Sequence, residues 1–357
     1  DRNLLLVPRL DQAIKKAQAD GRIHRPIAIR FLAYHDVLDP PTRALPAGFD
    51  NSTCTATFYP IVRCYVHPFD DPDCPRNAQY REQLQGWASD PDRHYRGGLC
   101  IGEYYNVSGY KCLPICFMHT MANDLPHFYG VGARQFQYMH VTTAGWGTKA
   151  LTNYQMARQL WDVQTDCEAL WADYFARRYG PAADTMAKFY ESLEGMFSNV
   201  SELKYGLARR LERGVEELFP TSHLRYQRAA GLECDGPMLV EMVEHGKTCR
   251  MLIDQVLGMD LPERIKARIA EDERTFTYGE RTIAYFHECV QAFHLGRSGR
   301  RDEGREHFAE ARRLAELLRR DTTSTTKSSS HANAANALEA TRATRALEHL
   351  AKLLGPP

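Results

Sequence analysis

The sequence predicts an α/β region of parallel strands followed by an all-α region. Three observations carry that expectation. Four short runs rich in β-branched and aromatic residues recur before residue 142: Ile27–Tyr34, Phe58–Val66, Leu99–Asn106 and Ala133–Val141. Helical stretches stand before and between them, so consecutive strands need crossover connections and should pair in parallel. From about Asp162 to Arg320 strand-like runs give out and only amphipathic stretches broken by Gly and Pro remain. One strand–helix unit repeated four times is half of an eight-stranded barrel or a small open sheet, and the pattern leaves both open.

In chain order, Leu4–Ala19 alternates apolar and charged residues at helical spacing and stops at Gly21. The first strand ends in Tyr34-His35-Asp36. A long loop, Asp39–Ala56, carries Pro40, Pro41, Pro46 and Gly48 into the second strand, which contains Arg63 and closes at His67-Pro68. Asn77 is the expected N-cap of a helix running to Ala88. Glu103-Tyr104-Tyr105-Asn106 ends the third strand, and a weaker helix over Pro114–Phe128, interrupted at Pro126, leads to the fourth. That strand carries Gln137, Tyr138, Met139 and His140, then a Gly145-Trp146-Gly147 turn and a helix over Leu151–Leu160.

Asp166–Tyr179 opens the helical region and stops at Gly180-Pro181. Further helices are expected over Pro181–Phe197, Glu202–Leu218, Pro237–Leu257, Pro262–Leu295 and Arg301–Arg320, packed antiparallel. The low-complexity run DTTSTTKSSS reads as a linker, and the Ala-rich Ala332–Leu354 as a helix or tail. The expected domains are therefore a partial barrel over 1–161, a helical domain over 162–320, a linker over 321–331 and a terminal helix or tail over 332–357.

Composition narrows the partners. Among 357 residues Lys+Arg and Asp+Glu are both 45, which argues against nucleic acid, and no run approaches the roughly 18 apolar residues of a membrane span. The chain starts at Asp1 with neither Met nor signal peptide, so a fragment or processed product is expected. Ten cysteines are present; Cys112 and Cys116 lie four apart, but no second pair completes a zinc set. Cys54, Cys64 and Cys74 surround the second strand, where a Cys54–Cys74 bridge and a set of buried thiols are both open readings. Asp70, Asp71 and Asp73 lack the Gly and distal Glu of a calcium loop. With no nucleotide fingerprint, Walker loop, nucleophile elbow or His-Glu-x-x-His, neither a cofactor nor a metal is expected.

Chemistry should collect where parallel strands end. Glu103 is the catalytic candidate: a carboxylate among aromatic walls has its charged form desolvated, which suits it to protonating a leaving group. Tyr34, His35, Arg63, Tyr104, Asn106, Gln137, Tyr138, His140 and Trp146 are the candidate substrate-binding residues, with the Trp146 indole placed to stack on a sugar ring. Structural readings stand beside these: Glu103 paired with an arginine, His35 tied to a loop carbonyl, Arg63 in an ion pair, Trp146 as a lid over the barrel mouth. Alternation sends Gln137 and Met139 to one face of the strand and Tyr138 and His140 to the other.

The succession AIRFLAYHDVLDPP, VRCYVHPFDDPDCPRNAQYREQLQGW, IGEYYN, then FQYMHV with LTNYQMARQLWD resembles a bacterial domain-of-unknown-function family, DUF4838. The resemblance spans roughly residues 1–167. Its members are glycoside-hydrolase-like barrels followed by helices, some assigned to glycoside hydrolase family 163, endo-β-N-acetylglucosaminidases that cut N-glycans. The resemblance implies the C-terminal half of a TIM-like (β/α)8 barrel followed by a helical domain, a glycan ligand, and a secreted, periplasmic or cell-surface location. It implies hydrolysis of a β-linked N-acetylhexosamine with Glu103 as acid, the substrate's acetamido group being able to assist. Two departures matter. The earlier barrel half is absent, and Gln137 stands about where active relatives carry a Glu. A non-catalytic glycan-binding or scaffold protein is the rival, and the sequence leaves the oligomeric state open.

Overall fold

The computed structural model describes residues 2–61, 63–105, 113–138, 147–197, 215, 218, 238–325 and 345–355. Asn106, His140 and Trp146 lie outside the described residues, as does most of the helix expected over Glu202–Leu218.

Four strands, β1 (Ile29–Ala33), β2 (Cys54–Phe58), β3 (Gly98–Glu103) and β4 (Gln135–Tyr138), form one all-parallel sheet in chain order. Helix α1 (Arg2–Ala19) precedes them, α2 (Pro75–Ala88) and α3 (Met118–Gly130) make the later crossovers, and α4 (Lys149–Trp161) follows. Beyond α4 the described residues contain helices and no strand: α5 (Cys167–Tyr179), α6 (Ala183–Phe197), α7 (Leu239–Leu257), α8 (Glu263–Arg297), α9 (Arg301–Thr325) and a helical segment at 345–354. Residues 321–325, expected as linker, continue α9. The chain divides into two compact units, one of residues 1–104, 120–139 and 159–164 and the other of 105–119, 140–158 and 165–357.

In the first unit the strand register sorts every side chain to a face. Ala33, Phe58, Ile101 and Phe136 share one row, and Phe31 shares the next with Ala56 and Leu99. Phe31 packs on Trp87 of α2, ring centroids 6.0 Å apart, and Ile101 lines a groove with Leu125 and Phe128 of α3. These rows therefore face the helices. The other face carries Leu32, Thr57, Cys100 and Gln135 in one row and Gly102 and Gln137 in the next.

The second strand is corrected. It spans Cys54–Phe58, not Phe58–Val66. Its five residues, CTATF, are all buried, and the two threonines keep them from reading as an apolar run. Tyr59 donates the last rung to the Ala33 carbonyl at 3.0 Å. Pro60 has no N–H to continue the ladder, and the chain turns, with the Arg63 N–H on the Pro60 carbonyl at 3.1 Å. Arg63 thus lies on the loop beyond the strand.

Two helix expectations shift for equally local reasons. Cys74, rather than Asn77, caps α2, its sulfur accepting from the Asn77 N–H at 3.5 Å. Helix α3 runs through Pro126 instead of breaking there. Proline leaves the carbonyl four residues earlier without its helical donor, and the Gln159 carboxamide donates to that carbonyl, Ala122, at 3.2 Å.

In the second unit Asp166 caps α5 by accepting from the Ala169 N–H at 3.0 Å, and Gly180 ends that helix at φ 53°. Helix α6 buries Met186, Phe189, Tyr190, Leu193 and Phe197. On α8 the fully buried Asp272 accepts from Tyr179 at 2.5 Å and from Tyr190 at 3.4 Å.

Candidate functional site

The C-terminal ends of β1, β2 and β3 bring three tyrosines together. The Tyr34 and Tyr59 ring centroids lie 5.5 Å apart and those of Tyr59 and Tyr104 5.7 Å. Gly102 makes room for them: a Cβ there would sit 2.0 Å from Tyr59 Cε1, so the ring lies against bare backbone of β3. Gln137 is the register partner of Gly102 and shares its face. Tyr34, His35 and Gln137 are half-buried, whereas Tyr59 and Tyr104 are buried. Burial holds the Tyr59 and Tyr104 hydroxyls above the usual phenol range, and a hydrogen bond with Tyr34 adds to this at Tyr104. Both stay neutral as hydrogen-bonding groups.

His35 begins a 3-10 turn over His35–Val37 at φ 54°, a left-handed conformation that costs a non-glycine residue about 1 kcal/mol or more. Its ring lies on Tyr34, centroids 3.5 Å apart.

Glu103 takes a different position. Alternation places it with Ile101 on the helix-facing side of β3, opposite Gly102 and Gln137. Arg63 Nε donates to its Oε1 at 2.7 Å, while the Tyr65 hydroxyl and the Tyr104 N–H each donate to Oε2 at 2.8 Å. Arg63 also donates through Nη2 to Asp124 of α3, and all three charged side chains are fully buried. Asp124 accepts from the Phe69 N–H at 2.7 Å, and Thr120, one helical turn earlier, donates to the Tyr65 carbonyl at 3.1 Å. Helix α3 thereby anchors the loop that delivers Arg63 and Tyr65. Burial pushes the Glu103 carboxyl up; Arg63 opposes that shift and Asp124 adds to it.

The expectation that Glu103, His35 and Tyr138 or Gln137 share one concave pocket is therefore corrected. Tyr34, Tyr104 and Gln137 share a face, whereas Glu103 and Tyr138 are register partners on the other. Strand alternation sends Glu103 to the helix-facing side, while the Tyr104 ring packs toward Tyr59. Arg63 serves Glu103 and Asp124, as the ion-pair reading had it. A groove of about 680 Å³ on the α3 side, lined by Ile101, Phe128, Arg134, Phe136 and Trp161 among others, contains none of Tyr34, His35, Glu103 or Tyr104.

The loop between β2 and α2 holds a second constellation. Ligand-type atoms of Cys64, His67 and Cys74 lie within 4.8 Å of one another, with Cys64 Sγ 3.5 Å from His67 Nδ1. Cys54 and Cys74 are separate buried thiols, so that bridge is absent.

A family model for the domain of unknown function DUF4838 matches residues 11–191, just over half of the chain. The chain belongs to the DUF4838 family. No curated protein matches it. Among solved structures, a GH138 enzyme targeting pectin rhamnogalacturonan II is similar at 11% identity and a TM-score of 0.44, over 77% of this chain. The DUF4838 chain spans 36% of that structure's length.

In this DUF4838 chain, sequence reasoning missed Tyr59, Tyr65, Asp124 and the Cys64–His67–Cys74 group. Pro60 was the available signal for Tyr59, since it ends the strand one residue later. The Cys-x2-His-x6-Cys spacing was legible, but only the folded loop closes it around Asn77.

Proposed function

We propose that this chain belongs to a carbohydrate-active protein and that its ligand rests on the tyrosine edge of the sheet. One observation carries the reading: Tyr34, Tyr59 and Tyr104 gather at the C-terminal ends of parallel strands, beside Gln137 on the same face. An aromatic face packs against the C–H face of a pyranose, while neutral phenols and a carboxamide exchange hydrogen bonds with its hydroxyls. Half-buried Tyr34 and Gln137 are the groups a sugar meets first. Glu103 acts in this reading as a positioning residue, holding the Tyr104 backbone and the Tyr65 hydroxyl from behind the sheet.

The finer reading is hydrolysis of β-linked N-acetylhexosamine glycans. It is supported by the resemblance of the strand-end motifs to the DUF4838 family. The experiment assays the longest natural protein containing this chain on an N-glycan and on an aryl N-acetylglucosaminide. Tyr34→Ala is expected to weaken glycan binding by about tenfold or more. Glycan binding that Tyr34→Ala leaves unchanged would remove the tyrosine edge as the ligand site.

A further inference from the structure

We propose that the loop between β2 and α2 is a zinc site, with Cys64, His67 and Cys74 as its three protein ligands. The geometry points there first. Tetrahedral zinc with Zn–S of about 2.3 Å and Zn–N of about 2.0 to 2.1 Å holds a sulfur and a nitrogen ligand roughly 3.5 Å apart. Cys64 Sγ and His67 Nδ1 are 3.5 Å apart, and all three ligand atoms lie within 4.8 Å of one another. Two sulfurs and an imidazole nitrogen are a soft-to-borderline donor set, which selects zinc over calcium or magnesium.

The surroundings are those of a held ligand set. Asn77 touches all three ligand-bearing segments. Its Oδ1 accepts from the Cys64 N–H at 2.9 Å, and its Nδ2 donates to the His67 and Pro68 carbonyls at 3.2 and 2.9 Å. Its own N–H points at Cys74 Sγ, 3.5 Å away. Hydrogen bonds of this kind behind the ligands orient them before the metal arrives. Cys64 and Cys74 are each 1% exposed, while His67 is half-buried and marks the side from which a water would complete the tetrahedron. Loss of two thiol protons on binding leaves a neutral complex, the form that burial tolerates. Cys64 stands between Arg63 and Tyr65, so closing this loop on zinc would also fix the two side chains that hold Glu103.

The test uses the full chain, reduced and metal-free, titrated with Co2+ and then Zn2+. One equivalent of Co2+ should bind with intense tetrahedral d–d bands and thiolate-to-metal charge transfer, and Zn2+ should displace it. Cys64→Ser and Cys74→Ser should each weaken binding by at least about a hundredfold, whereas Cys54→Ser, outside the group, should leave it unchanged. X-ray absorption of the zinc-loaded wild type needs no variant and should show two sulfurs and one imidazole nitrogen in the first shell. Only weak octahedral Co2+ binding, a first shell lacking two sulfurs, or a Cys64–Cys74 disulfide that persists through reduction would overturn the site.

Discussion

Arg63 Nε donates to Glu103 Oε1 at 2.7 Å with both side chains wholly removed from solvent, and the same guanidinium reaches Asp124. A buried cation between two carboxylates is held by geometry: the planar fork satisfies both acids and a third acceptor, the Cys64 carbonyl, at 3.0 Å. Its Cζ also lies 4.0 Å from the Tyr65 ring centre. Removing any one partner leaves charge stranded where water cannot reach it.

Arg63→Met is expected to destabilise the first unit by about 3 to 5 kcal/mol, because Glu103 and Asp124 would face each other unpaired. Arg63→Lys should recover only part of this, since an ammonium cannot form the fork. Urea unfolding of the two variants beside the wild type checks the order.

Gly102→Ala is expected to displace Tyr59, because the new methyl would sit 2.0 Å from its ring. The cost should be about 1 to 3 kcal/mol, with glycan binding weakened if the tyrosine edge is the ligand site. Thermal unfolding and glycan titration of the same variant read the two effects separately. Wild-type stability in Gly102→Ala would contradict the packing of Tyr59 on β3.

Asn77→Ala should cost about 2 to 3 kcal/mol. It leaves the Cys64 N–H and the His67 and Pro68 carbonyls without their shared partner. Asn77→Asp should fall between, keeping the acceptor and losing the donor. Amide hydrogen exchange at Cys64 reports the loss directly.

Asp272 makes the second unit sensitive to pH. Burial pushes its carboxyl up from 3.8 to about 7, against Arg178 and the Tyr179 hydroxyl, which favour the charged form. The folded state therefore keeps a proton that the unfolded chain releases near pH 4. This contribution to stability is fully present below about pH 4, declines as the pH rises to about 7, and is flat above. Asp272→Asn should remove that decline, measured as the dependence of Tm on pH. The same change in Tm between pH 4 and 7 in wild type and variant would show that Asp272 does not set it.

Where an element depended on local pattern, the sequence by itself determined it. The β-branched runs around β1 and β3, the Asp166 cap and Gly180 stop of α5, and the change to helices after α4 follow from side-chain period and backbone permissiveness within a few residues. Strand β2 escaped because a fully enclosed strand can be built from Cys, Thr and Ala, with no apolar run to announce it. Alternation along β3 already separated Glu103 from Gly102 and Tyr104, but which side met α3 depended on Leu125 and Phe128 packing there. The union of Arg63 with Asp124, 61 residues later, and of Cys64, His67 and Cys74 around Asn77 belongs to the tertiary structure alone. Such contacts form between segments whose spacing in sequence carries no period, so only the packed chain decides them.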